Sequence, residues 1–157
     1  MVVAAAAEAA VALEATVVAD QSLVSSPTGE ETTTFADLGV PSEMASVLVS
    51  EGITVPTPIQ LKAIPDALAG SDVCGRAETG SGKTYAFGLP LLARIRDSKG
   101  DLPRGLILVP TRELASQVTE ALEPLAAAQD LRIVAVYGGT SMREQISDVK
   151  QGADVLV

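Results

Sequence analysis

The sequence predicts an α/β fold with a parallel sheet held between helices, incomplete at its C-terminal end. Two observations carry this. From Phe35 to Val157, short aliphatic runs alternate with longer segments of helical periodicity. A glycine-rich loop also sits between one such run and a helix. Aromatic residues make up only 3% of the chain and Trp is absent, so aliphatic side chains must build the core.

In order, helices are expected over 42–51 and 58–69. Residues 73–76 form a short apolar run read as a strand, and a helix follows over 83–96. Leu106 to Val109 is a compact aliphatic run, the pattern of a buried strand. Residues 112–128 read as helix, Ile133 to Tyr137 as strand, 142–151 as helix and Asp154 to Val157 as strand. Strands that alternate with helices lie parallel, with helices on both faces. No internal repeat is visible. The last strand stops as it begins, so the chain is expected to be a partial domain with few strands and a poorly protected edge. The 73–76 strand should lack sheet neighbours. A marginal, aggregation-prone protein follows, which a cooperative melt well above about 60 °C would contradict.

Residues 1–34 differ from the rest. They contain Glu8, Glu14, Asp20, Glu30 and Glu31 and no Lys or Arg. A secretory leader needs a basic start and an unbroken apolar run, and a membrane span needs the latter too. The segment reads as a flexible tail carrying at most a frayed helix over 4–18, and a domain over 35–157 follows it. The formal net charge of −9 argues against indiscriminate binding of nucleic acid through the overall field. A few aimed donors could still hold a backbone phosphate. The absence of His excludes His-based acid–base catalysis and His metal ligands. Cys74 is the single cysteine, so no internal disulfide can form. Its apolar setting predicts a buried thiol, and the pattern as a whole favours the cytoplasm.

The strongest chemical signal is Ala77-Glu78-Thr79-Gly80-Ser81-Gly82-Lys83-Thr84. Gly80 and Gly82 permit positive φ and close backbone approach. Successive N–H groups can then converge on an anion, helped by the positive end of the following helix. Lys83 can reach the β- and γ-phosphates of a nucleotide, and the Thr84 hydroxyl can ligate Mg²⁺. The strict pattern begins with Gly where this chain has Ala77.

Upstream, Thr57-Pro58-Ile59-Gln60 has the form of a capping box with Pro at the first helical position. On the structural reading Gln60 reaches back to the Thr57 backbone. On the functional reading its amide matches the donor–acceptor edge of adenine. The segment alone leaves both open.

Downstream, Thr111 can cap the helix that starts at Arg112, so free backbone donors and a guanidinium share one positive helix end. Such an end suits a phosphate of single-stranded RNA. On the structural reading Arg112 pairs with a nearby acid such as Glu113. Gly138-Gly139 precedes Ser141, with Glu144 three residues on, a second capping box.

Taken together, these segments resemble the DEAD-box ATP-dependent RNA helicases. Residues 33–61 are similar to the Q motif, with Phe35 17 residues before Gly52. Residues 77–84 match the family's P-loop, Pro110-Thr111-Arg112-Glu113-Leu114-Ala115 its motif Ia, and Gly138-Gly139 its GG pair. The resemblance runs from Phe35 to Val157. It implies a RecA-like domain that binds ATP through Phe35, Ile53, Gln60 and residues 77–84, and favours ATP over GTP. Lys83 and Thr84 would act in catalysis, with Thr84 on Mg²⁺. Pro110, Thr111, Arg112, Gly138 and Gly139 would hold the RNA sugar-phosphate backbone without reading sequence. Many family members carry an aromatic residue where this chain has Ile53, a loss of about 1 kcal/mol in stacking that predicts weaker nucleotide affinity.

The chain contains no Asp-Glu-Ala-Asp run. By the resemblance it also lacks a second RecA-like domain, so the 157 residues are not expected to unwind RNA alone. A P-loop ATPase with another task and a non-catalytic module for nucleotide or RNA are the competing classes.

Overall fold

The computed structural model describes residues 2–5, 33–96 and 103–157. Four strands form one parallel sheet: β1 (Val2–Ala5), β2 (Gly105–Leu108), β3 (Ile133–Val134) and β4 (Val155–Leu156). The spatial order is β1-β2-β4-β3. Val155 pairs with Gly105 on one side and with Ile133 on the other, which places β4 between β2 and β3.

Five helices accompany this sheet. α1 (Ser42–Ser50) buries Met44 and Leu48, one turn apart on a single face. α2 (Pro58–Leu68) starts on proline, whose fixed φ and missing N–H suit a first helical position. α3 (Lys83–Arg96) buries Ala86, Leu89, Leu92 and Ile95. α4 (Arg112–Ala127) buries Ala115, Val118, Leu122 and Leu125, spaced three and four residues apart. α3 and α4 meet closely because Gly88 has no side chain, and Leu122 fills the space a Cβ would need. α5 (Met142–Lys150) buries none of its residues.

Buried aliphatics form the core, joined by Phe35 at its α1 end. At the entry side of the sheet, a buried carboxylate ties the strands together. Asp154 accepts from the Arg104 guanidinium through Oδ1 and from the Arg132 backbone N–H, at 2.9 Å, through Oδ2. Arg104 also donates to the Ile95 carbonyl, at 3.0 Å, and so reaches the end of α3.

Four expectations need correction. Residues 71–78 form no strand, and all but Ala77 are exposed. Without a neighbouring strand their N–H and C=O groups have no ladder to join. Cys74 is therefore exposed, not buried. The tail is not wholly outside the fold, since Val2–Ala5 pairs with β2; residues 6–32, which hold most of the expected frayed helix, lie outside the described residues. The strands expected over 133–137 and 154–157 are each two residues long, because the shared register of β3 and β4 has only two partners. Helix limits agree with expectation to within one residue at every end.

Candidate functional site

The loop from Ala77 to Gly82 leads directly into α3, so Lys83 and Thr84 stand in the first turn of that helix. Gly80 and Gly82 have φ of 78° and 88°, the left-handed conformations that turn successive N–H groups the same way. Gly82 is also sterically required, since a Cβ there would collide with Gln60 Nε2.

The segment before α2 is bonded to this loop. Gln60 Oε1 accepts from the Thr57 N–H at 2.8 Å, one arm of the capping box. Gln60 Nε2 donates to the Gly82 carbonyl at 3.0 Å, and the Thr57 hydroxyl donates to the Ser81 carbonyl at 2.8 Å. Gln60 is 1% exposed. In this conformation its amide is a brace between the two segments, and one donor and one lone pair remain unspent. Neither tie to the loop, from Thr57 or from Gln60, is visible in the spacing of the sequence.

Lys83 Nζ donates to the Ala77 and Glu78 carbonyls, each at 2.8 Å. The ammonium thus folds back across its own loop. Ser81 Oγ is buried without a partner. Ile53 is half-buried against the core, and its N–H caps α1 through the Leu48 carbonyl. Phe35, at 2% exposure, is a core residue in this structure. Tyr85, next to Thr84, donates to Glu51 at 3.4 Å, which links α3 to the end of α1. Partial burial and then the nearby Glu51 carboxylate raise the Tyr85 phenol above its ordinary value.

A second cluster forms beyond the carboxyl ends of β2 and β3, the side of a parallel sheet where ligands bind. Thr111 caps α4, its hydroxyl accepting from the Leu114 N–H at 3.2 Å. Arg112 does not pair with Glu113; its Nη1 donates to the Gly138 carbonyl at 3.2 Å. Gly139 has φ of 88°, and a Cβ there would lie 2.6 Å from Arg112 Nη1. Gln145 of α5, not singled out in the sequence, braces this turn. It accepts from the Tyr137 N–H at 2.9 Å and donates to the Tyr137 carbonyl at 3.0 Å and to Thr140 Oγ1 at 2.7 Å. Ser141 caps α5 as expected.

The structure thus joins Thr57, Gln60 and the glycine-rich loop in one cluster, and Arg112, Gly138 and Gly139 in another. Among the described residues no helix is long and apolar enough to cross a membrane.

The DEAD/DEAH box helicase sequence model matches residues 57–157. The chain is 47% identical over 126 residues to the RNA helicase CrhR of Synechocystis, covering 80% of this chain and 25% of that protein. It is 42% identical over 127 residues to the human probable ATP-dependent RNA helicase DDX46, covering 78% of this chain and 12% of that protein. In structure it resembles the ADP-bound RNA helicase Prp28 of Chaetomium thermophilum, with a TM-score of 0.73, 40% identity, and coverage of 79% of this chain and 31% of that one. A DEAD box protein of Methanococcus jannaschii gives a TM-score of 0.72 at 35% identity, covering 79% of this chain and 34% of that one. The chain therefore spans about a quarter or less of the curated relatives named here.

Proposed function

The chain belongs to the DEAD/DEAH box helicase family, and on that premise we propose that it is the nucleotide-binding part of an ATP-dependent RNA helicase. The observation that carries this is the joining of Thr57 and Gln60 to a glycine-rich loop that opens a helix with Lys83 and Thr84.

The residues fit a nucleotide's phosphate tail. Gly82 cannot carry a side chain, Ser81 Oγ is buried without a partner, and Lys83 is held only by backbone carbonyls that a phosphate oxygen could replace. Bound ATP would supply the phosphoanhydride bond, and Mg²⁺ would supply counter-charge to its phosphates. Lys83 would then leave Ala77 and Glu78 for the β- and γ-phosphates, and the Thr84 hydroxyl would be the loop's metal ligand. Residues 77–84 would wrap the phosphates with their N–H groups. Ile53 would cover the base, and the unspent donor and lone pair of Gln60 would read its edge. Phe35 would support that edge from the core.

On the RNA side, Pro110, Thr111 and Arg112 would meet the sugar-phosphate backbone at the α4 N-terminus, with the Gly138-Gly139 turn beside them. Contacts to phosphate and sugar carry no base code, so binding would not depend on sequence. In the complete protein these two sites would couple ATP hydrolysis to local duplex separation. A cytoplasmic setting belongs to the same proposal, as does a domain spanning residues 35–157. The chain lacks an Asp-Glu-Ala-Asp run, so binding without turnover is the expected behaviour of these 157 residues.

The test is an ATP titration of residues 1–157, with and without single-stranded RNA, in wild type and Lys83→Ala. Saturable ATP binding that Lys83→Ala weakens roughly 10- to 100-fold supports the proposal. Wild type that fails to bind ATP overturns its nucleotide half. ATP hydrolysis by the complete protein that is indifferent to RNA would instead identify a P-loop ATPase with another task.

A further inference from the structure

Gly138 and Gly139 stand in an exposed turn, and adjacent glycines have the widest choice of backbone conformations. Yet the Gly138 carbonyl must point one way for Arg112 Nη1 to donate to it at 3.2 Å. One side chain grips this turn at both ends. Gln145, at the end of the first turn of α5, accepts from the Tyr137 N–H at 2.9 Å and donates to the Tyr137 carbonyl at 3.0 Å. Its second amide hydrogen goes to Thr140 Oγ1 at 2.7 Å. Both hydrogens of the amide are therefore spent on the residues that flank the glycine pair. Val136 turns its N–H to β4, donating to the Val157 carbonyl at 2.8 Å, whereas Tyr137 turns both of its main-chain groups to Gln145.

We propose that Gln145 is a positioning residue for RNA: by fixing Tyr137 and Thr140 it sets the Gly138 carbonyl, which aims the Arg112 guanidinium at a backbone phosphate. This rests on the proposed role of Arg112 at the RNA sugar-phosphate backbone. Two structural tasks that would explain Gln145 otherwise are already filled or absent. Ser141 caps α5, so the helix does not need Gln145 to begin, and α5 buries none of its residues, so Gln145 is not part of the core. The bond to Gly138 uses one of the five guanidinium N–H groups of Arg112, and the fork that remains suits phosphate oxygens. A long side chain held in advance loses less freedom when its ligand arrives, so the brace acts on affinity through preorganisation. Gln145 itself carries no charge and adds nothing to the attraction of a phosphate.

A labelled oligouridine titrated into wild type, Gln145→Met, Arg112→Ala and the double variant, at several salt concentrations, tests this. Met keeps the length and the helix propensity of Gln but none of its hydrogen bonds. Gln145→Met should weaken RNA binding about tenfold, the lower end of what a charged hydrogen bond contributes. The slope of log K against log salt should flatten by about 0.7, as for one lost phosphate contact, and Arg112→Ala should flatten it equally. The double variant should bind no more weakly than Arg112→Ala, because Gln145 acts through that residue. ATP affinity should be unchanged in all three. A residue that merely supports the fold lowers affinity alike at every salt concentration, so weaker binding with the wild-type slope would overturn the proposal. So would wild-type RNA binding in Gln145→Met, or losses that add in the double variant. If Gln145→Met does not fold, Thr140→Val, which removes a single tie at an exposed residue, decides: wild-type affinity and slope there would overturn the proposal. Wild-type RNA binding in Arg112→Ala would instead overturn the RNA reading of this site, and the role of Gln145 with it.

Discussion

Gln60 Nε2 donates to the Gly82 carbonyl at 3.0 Å while Gln60 Oε1 accepts from the Thr57 N–H at 2.8 Å. One buried amide therefore caps α2 and holds the loop that opens α3. Gln60→Ala should leave both backbone groups short of a partner and destabilise the protein by about 1–3 kcal/mol. Gln60→Glu separates the two roles. It keeps an acceptor for Thr57 but sets an oxygen against the Gly82 carbonyl, so ATP affinity should fall even where the melting temperature is partly retained. Wild-type melting and wild-type ATP affinity in Gln60→Glu would show that the Gly82 contact is incidental.

Lys83 behaves differently because its partners are the Ala77 and Glu78 carbonyls of its own loop. Glu78 is exposed, and water can replace the ammonium there. Lys83→Ala should thus change the melting temperature little. Hydrogen bonds to charged groups contribute about 1.5–3 kcal/mol, so its ATP affinity should fall roughly 10- to 100-fold. A thermal melt paired with a nucleotide titration distinguishes the two effects. A large loss of stability would assign Lys83 a structural task instead.

The two glycines after β3 are not equivalent. Nothing lies within 4 Å of a Cβ built on Gly138, whereas one on Gly139 meets Arg112 Nη1 at 2.6 Å in a backbone with φ of 88°. Gly138→Ala should be close to neutral in stability. Gly139→Ala should cost about 1–2 kcal/mol from left-handed backbone strain and should also dislodge Arg112. Single-stranded RNA affinity should then drop in Gly139→Ala to the level of Arg112→Ala. Equal RNA affinity in the two alanine variants of the pair would contradict this.

The sequence made most of this legible where the signal is local. Met44 and Leu48, or Val118, Leu122 and Leu125, lie on helical spacing, and Thr111 and Ser141 stand where helix caps belong. The Cys74 segment was misread because an apolar run of four residues looks alike whether or not a neighbouring strand exists to pair with it. Val2–Ala5 was missed for the converse reason, as its partner is about a hundred residues away and pairing leaves no local trace. The Thr57–Ser81 and Arg112–Gly138 bonds each join segments more than 20 residues apart. Spacing can nominate such residues but cannot show that they touch.

Asp154 is a similar case, an ordinary acid in the sequence that proves to be 8% exposed and bonded to Arg104 and Arg132. Asp154→Ala should cost about 3 kcal/mol, because removing one member of a largely buried ion pair strands the other. Denaturant unfolding of Asp154→Ala, Arg104→Ala and the double variant measures the coupling. Fully additive losses would mean that the pair does not act as a unit.

Tyr85 ties stability to pH on the alkaline side. Burial first, then the Glu51 carboxylate, raises its phenol above 10.0. The folded state therefore holds this proton more tightly than the unfolded chain does. That contribution is fully present below pH 10 and is lost as pH rises through the folded value. Urea midpoints measured from pH 8 to pH 12 should fall more steeply in wild type than in Tyr85→Phe, which has no proton to lose there. Below pH 9 the two proteins should differ only by the 3.4 Å bond to Glu51, a partly exposed contact of small worth. Parallel curves across the alkaline range would remove Tyr85 from the pH dependence and leave the other groups that titrate there to account for it.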